Sequence, residues 1–228
     1  MRERILMCWS GGKDSAMALY ELQKSERYEI AALLTTVTES YERISMHGVR
    51  CELLHEQADS IGIGLEKVYI SQHASNTEYE SNMEVILKRY YAEGVRSVAF
   101  GDIFLEDLRI YRENNLAKIG MKGLFPIWKR ETNELAREFI RLGFQSMVVC
   151  IDPKSLGRDF VGRKIDQSFL DDLPPAVDPC GENGEYHSFV FDGPIFKNPI
   201  HIQTGEKVLR DSFWFCDLLP VESKQFPV

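Results

Sequence analysis

The 228-residue sequence predicts an α/β protein, a parallel sheet of about five strands flanked by helices, followed by a smaller C-terminal α+β lobe. Three observations carry this. Apolar strand-like runs alternate with helix-period segments over residues 1–130, the pattern of βαβ crossovers and a parallel sheet. No proline precedes Pro126, and eight of the nine lie after residue 150. Residues 1–130 carry 17 basic and 19 acidic side chains, net −2, whereas 131–228 carry 10 and 16, net −6. The expected division is therefore 1–130 and 131–228.

The elements follow in order. Arg4–Trp9 is a short apolar run, and Ser15–Leu22 continues with helical spacing. Ile30–Val37 reads as a buried strand. Across 49–61, Cys51, Leu54, Ala58 and Ile61 fall on one helix face. Leu65–Ser71 is the next strand. Asn76–Glu93 is a long helix with Tyr79, Met83, Ile86, Leu87 and Tyr90 inward. Val98–Ile103 reads as a strand and Glu106–Ile119 as a helix. In the second part, Thr132–Leu142 is helical, Gln145–Ile151 a strand, Ile165–Leu173 a short helix, and Tyr186–Phe191 a strand, with a turn expected at Gly205-Glu206.

Composition narrows the function. A chain that is 44% hydrophobic and 27% charged is ordinary for a globular protein. No run approaches the ~20 apolar residues of a membrane span. The N-terminal apolar stretch, Ile5–Trp9, is too short for a signal-peptide core, so the expected location is cytoplasmic, with no membrane partner. Five scattered cysteines without a C-x-x-C pair argue against a disulfide framework and against a zinc or iron–sulfur site. A net charge of −8 without a basic cluster disfavours nucleic acid as partner.

The most specific motif is Ser10-Gly11-Gly12-Lys13-Asp14-Ser15, which follows a strand and opens a helix. Such a junction aims backbone N–H groups and the positive helix end at one point. The glycines permit close approach, the serines add hydroxyls, and Lys13 adds a cation. This is chemistry for holding a phosphate chain, although the Walker A spacing is absent. Asp14 could orient Lys13, touch magnesium through water, or merely complement the helix end. Asp102 follows Gly101 at a strand's carboxyl end, the edge where ligands bind in such sheets. It could hold a cation or cap the next helix. Arg109 and Arg112 share a helix face, either for a departing phosphate or as solvated charges. Glu182, Glu185 and His187 lie in a glycine-rich loop with Gly181 and Gly184, as acid–base or ammonium-binding groups or as a polar turn. Cys8, Cys51 and Cys150 read as inert core thiols, Cys180 as a thiol beside that loop, and Phe213–Phe215 as core.

The hexapeptide resembles the PP-loop of the ATP pyrophosphatase superfamily, of the adenine nucleotide α-hydrolase type. Together with Gly101-Asp102-Ile103, Gly123–Trp128 and DPCGENGEYHSFVFDGP (178–194), it is similar to the diphthine–ammonia ligase family over nearly the whole chain. The resemblance implies ATP as cofactor with Mg2+ travelling on it. It implies amidation of a small-molecule or protein carboxylate by ammonia through an acyl-adenylate, releasing AMP and pyrophosphate. In the named family members the carboxylate is diphthine. It also implies nucleotide binding by Ser10–Ser15, Thr36 and Met46, with the Met46-His47-Gly48 segment and Thr35 near adenine. Asp102, Glu182, Glu185 and His187 would line the reaction cleft. The family commonly reads E-G-G-E-F-E-T where this chain has Glu182–Ser188, ENGEYHS, a version that resembles the bacterial branch. Two alternatives stand beside this reading, a PP-loop transfer-RNA modifier and a nucleotide sensor without turnover. The absent cysteine pair and the acidic charge count against the first, the intact loop with Lys13 against the second.

Overall fold

The structure, a computed structural model, describes residues 2–39, 43–44, 48–72 and 74–221. The first half runs β1 (Glu3–Cys8), α1 (Lys13–Lys24), β2 (Tyr28–Thr38), β3 (Arg43–Ile44), α2 (Cys51–Ile61), β4 (Leu65–Ile70), α3 (Asn76–Ala92), β5 (Ser97–Ala99), α4 (Glu106–Ala117) and β6 (Lys122–Leu124). The second runs α5 (Thr132–Arg141), β7 (Gln145–Ile151), α6 (Gln167–Asp172), β8 (Tyr186–Asp192), β9 (Ile202–Arg210) and β10 (Phe213–Pro220).

Five strands pair in parallel in the order β4-β2-β1-β5-β6, and the two-residue β3 adds to β2 in the antiparallel sense. The chain winds from β1 out to β4 and then returns to the other side of β1 for β5. That reversal opens a crevice at the carboxyl ends of β1 and β5. The second sheet is antiparallel, in the order β8-β7-β10-β9.

Strand alternation builds the layers. Leu6 and Leu34 face a core with Leu87 of α3 and Leu116 of α4. Ile5, Met7 and Leu33 face the other way, into a core with Leu19 of α1, Leu54 of α2 and Phe139 of α5. Val149, Phe189 and Leu218 of the second sheet belong to that same core. The two sheets therefore enclose α1, α2 and α5 between them. Phe139 stacks on Phe144 with centroids 4.9 Å apart. The outer face of the second sheet has its own core around Val148, Phe169 and Tyr186.

Three details differ from the sequence reading. The strand expected over Val98–Ile103 is only Ser97–Ala99, because the chain after Phe100 turns to pass the amino end of α1. The turn expected at Gly205-Glu206 lies at Asp211-Ser212, whose φ angles are 49° and 69°. Gly205 sits inside β9 opposite the irregularity at Asp217, where a Cβ would meet the Asp217 Cβ at 3.3 Å. The strand β6 falls within a stretch given no element, since three residues are too few to show a period.

Candidate active site

The phosphate-type loop is shaped from behind. After β1, Trp9 N–H donates to the Leu34 carbonyl at 2.8 Å, and the chain turns through Ser10-Gly11-Gly12 into α1. Gly11 has φ +74°, and a Cβ there would lie 2.7 Å from Gln57 Oε1. The Gly11 carbonyl accepts from Val190 N–H at 2.8 Å and from Gln57 Nε2 at 3.1 Å. Gln57 is fully buried; its Nε2 also donates to the Val190 carbonyl at 2.6 Å, and its Oε1 accepts from Trp9 Nε1 at 2.9 Å. One glutamine of α2 thus staples the loop to β1 and β8. In front, Ser15 Oγ donates to the Gly12 carbonyl at 2.9 Å, and Ser10 Oγ lies 3.2 Å from Ser15 Oγ. Gly12, at the N-cap of α1, has no side chain to cap the helix, and the Lys13 N–H that opens it is taken by Ser188 Oγ of β8 at 3.2 Å.

This loop forms one wall of a cavity of about 490 Å³ at the crevice between β1 and β5. Ser10, Gly12, Lys13, Asp14, Ser15 and Thr36 line it, as do Asp102, Glu182 and His187. Most of the residues singled out from sequence therefore converge. Gly11 shapes the loop from behind and does not line the cavity. Met46 and His47 lie outside the described residues.

Lys13 is buried, and its Nζ donates to both Asp14 oxygens at 2.8 and 2.9 Å and to the Cys180 carbonyl. It also sits 5.3 Å from the centre of the Tyr186 ring. Burial alone disfavours the ammonium, but the Asp14 carboxylate foremost outweighs it and raises the Lys13 pKa. The lysine stays charged at neutral pH.

On the facing wall, Asp102 is held by Arg112, with Nε–Oδ2 2.6 Å and Nη2–Oδ1 3.1 Å, and the guanidinium lies over Phe100 at 4.3 Å. Both Asp102 oxygens are engaged by a cation from this chain. Arg109 parts from Arg112: it pairs with Glu113 at 3.0 Å and stacks on Phe125 and Trp128. Gly101 is needed for contact, since a Cβ there would be 2.8 Å from Asp14 C and Ser15 N.

The glycine-rich loop supplies the third wall. Glu182 Oε1 accepts from Ile103 N–H at 2.8 Å and Phe104 N–H at 3.4 Å, tying the loop to the end of β5. Burial pushes its carboxyl up to about 7, against the lowering effect of the Ile103 bond. Burial, with Lys13 nearby, pushes His187 down to about 4, so its imidazole is neutral at pH 7. Glu185 departs from the expectation that it lines the cleft. It is 6% exposed and accepts from Asp178 N–H, Asn183 N–H and Asn183 Nδ2 at 3.0, 2.9 and 3.1 Å. Its carboxylate folds the loop's own backbone. Cys180 is buried, donates to the Thr132 carbonyl at 3.3 Å, and has its pKa raised by burial, so it remains a thiol. Cys8 and Cys150 are each pushed up to about 12 by burial.

Sequence reasoning missed Gln57, and it named Gly101 and Ser188 only within their motifs, without a role for either. Ser188 Oγ accepts from Lys13 N–H at 3.2 Å, from the other sheet. A glutamine on an otherwise apolar helix face was the one available signal for Gln57. Among the described residues, no group of three or more His, Cys, Asp or Glu could hold a metal ion, and no helix is long and apolar enough to cross a membrane.

A parallel sheet with a glycine-rich loop between β1 and α1 at its switch point, closed by a small antiparallel sheet, defines the PP-loop class of α/β protein. Comparison with known proteins makes the assignment narrower. Residues 3–123 match the diphthamide synthase N-terminal domain and 131–221 the diphthamide synthase C-terminal domain. The chain belongs to the diphthamide synthase family. It is 28% identical to the human diphthine–ammonia ligase over 160 residues, covering 68% of this chain and 60% of that protein. It is 24% identical to the rat diphthine–ammonia ligase, covering 93% of this chain and 88% of that protein. The chain thus spans less than two thirds of the human relative. Among solved structures, the U34-tRNA thiolase NcsA from Methanococcus maripaludis is similar over 62% of this chain and 58% of its own, at 19% identity and a TM-score of 0.40.

Proposed function

We propose that this chain is an ATP-dependent ligase that forms an amide from a carboxylate and ammonia. The observation that carries the reading is the convergence of the Ser10–Ser15 loop with Glu182, His187 and the Asp102–Arg112 pair around one cavity at the β1/β5 switch point. The family's named relatives, diphthine–ammonia ligases, support the same chemistry. Residues 1–130 hold the nucleotide in this reading, and 131–228 close the cavity over the carboxylate substrate.

The loop and the amino end of α1 seat the phosphates, with Lys13 as the buried cation beside them. A carboxylate oxygen of the substrate attacks the α-phosphorus, the bond to the β-phosphate oxygen breaks, and pyrophosphate leaves. The acyl-adenylate remains. Ammonia then attacks the carbonyl carbon, the carbon–oxygen bond to AMP breaks, and the nitrogen gives up a proton. Glu182, titrating near neutrality, is suited to accept that proton, and the neutral His187 to accept a hydrogen bond from the incoming nitrogen. Arg112, fixed by Asp102, offers positive charge opposite the loop. Magnesium would enter with the triphosphate. Asp14 and Asp102 line the cavity, but the oxygens of both are already paired with Lys13 and Arg112, so the nucleotide's own phosphates and not an all-protein site would hold the ion. It would add positive charge against the leaving pyrophosphate.

The test is the nucleotide product. Purified protein is incubated with ATP, magnesium, 15N-ammonium and either a diphthine-bearing protein or fractions of a cell extract. AMP matched by pyrophosphate, with 15N in the product, is expected. ADP in place of AMP would overturn the adenylate route.

A further inference from the structure

Two buried side-chain polar atoms among the described residues have no hydrogen-bond partner, Thr35 Oγ1 and Ser146 Oγ. A hydroxyl withdrawn from water without a partner costs free energy, and native proteins pair nearly all such atoms. Ser146 lies in β7 next to a register irregularity and does not line the cavity. Thr35 does line it, while being 2% exposed.

The position of Thr35 says what its hydroxyl meets. It is the first β2 residue beyond the pairing with β1, which ends at Cys8↔Leu34. Leu33 faces the core with α1, and Leu34 faces the core with α3. Alternation places the Thr35 side chain on the α1 side of the sheet, at the root of the Ser10–Ser15 loop. Its neighbours two residues away on that side, Leu33 and Val37, are both fully buried and apolar. A valine would pack there as well as threonine and leave no orphan. The hydroxyl is a liability unless something in the cavity takes its hydrogen.

We infer that Thr35 Oγ1 donates a hydrogen bond to a sugar or phosphate oxygen of the nucleotide seated on the loop, which makes Thr35 a nucleotide-binding residue. This rests on the nucleotide reading above. Binding supplies the partner that the folded chain lacks, so part of the nucleotide's affinity comes from relieving a cost already present in the unliganded protein.

The experiment compares the parent protein with Thr35→Val, Thr35→Ser and Ser146→Ala, by calorimetric titration with α,β-methylene-ATP and magnesium and by thermal melting without ligand. Thr35→Val is expected to bind the analogue about tenfold more weakly. It is expected to melt no lower than the parent, since the orphan hydroxyl is gone. Thr35→Ser is expected to stay within about threefold of the parent Kd, because the donor is kept. Ser146→Ala is expected to bind as the parent does. An unchanged Kd in Thr35→Val, or a Thr35→Ser as weak as Thr35→Val, would overturn the inference. If Thr35→Val does not fold, Thr35→Ala against Thr35→Ser gives the same comparison. A parent that fails to bind the analogue overturns the nucleotide reading itself, a result distinct from a failure of the variants.

Discussion

Ser188 of β8 accepts a hydrogen bond from the Lys13 backbone N–H at 3.2 Å, joining residues 175 positions apart. The residue that opens α1 is thereby clamped by the second sheet, as Gly11 is by Val190 two residues earlier in the loop. The small antiparallel lobe shapes the phosphate-type loop and is not merely appended to it.

Gln57 should be the most sensitive polar residue outside the cavity. Gln57→Leu leaves Trp9 Nε1 without its acceptor and removes a donor from the Gly11 and Val190 carbonyls, all in a buried setting. The expected loss of stability is about 2–4 kcal/mol. Urea unfolding with an unchanged m-value checks it.

Gly101→Ala should act on the loop by contact alone. Its φ is not in the left-handed region, but the new Cβ would press on the Asp14 and Ser15 backbone at 2.8 Å. Backbone at the start of a helix yields poorly, so the loop shifts. Nucleotide affinity should fall by about tenfold or more, with a stability loss of about 1–3 kcal/mol. Titration with an ATP analogue and thermal melting separate the two effects.

Asp102 and Arg112 should behave as a unit. Asp102→Asn leaves a largely buried guanidinium without its carboxylate, at a cost of about 1–3 kcal/mol. Arg112→Gln strands the carboxylate in turn. The double variant should be more stable than the sum of the singles predicts, with a coupling of at least about 1 kcal/mol. Additive losses would show the pair to be independent.

Glu182 and His187 should give stability opposite pH dependences. Glu182 titrates near 7 in the folded protein against 4.5 ordinarily, because burial disfavours the carboxylate. Below 4.5 both states are protonated. Between 4.5 and 7 the unfolded chain ionises first, so folding loses free energy, and the loss is complete above 7. Glu182→Gln should therefore raise the Tm at about pH 8 relative to its effect at about pH 4. His187 titrates near 4 in the folded protein against 6.5 ordinarily. Its penalty is absent above 6.5 and grows as the pH falls towards 4. His187→Gln should be relatively more favourable at about pH 4.5 than at pH 8. Melting curves of both variants across this range check the signs.

Much of this molecule is written in local periodicity. The alternation of apolar runs and helical spacing named the parallel sheet, because each crossover helix must bury one face and each strand both. The strand–loop–helix junction at Ser10–Ser15 announced its own chemistry, since the motif is contiguous and its glycines have a conformational purpose. Elements failed where length or conformation is set from outside. β6 has three residues, and the hairpin turn uses Asp211 and Ser212 in a backbone state that non-glycine residues seldom adopt.

The residues that complete the site were decided by tertiary structure. Nothing near Gln57 in the chain shows that its amide will meet Gly11 and Val190, and nothing near Glu185 shows that its carboxylate will be spent on Asp178 and Asn183 while Glu182 reaches Ile103. Two glutamates three residues apart look equivalent in sequence. Only packing decides which one turns back on its own loop and which one faces the cavity: Glu185 meets Asp178 and Asn183 within the loop, whereas Glu182 meets Ile103, a neighbour the chain brings together from far away.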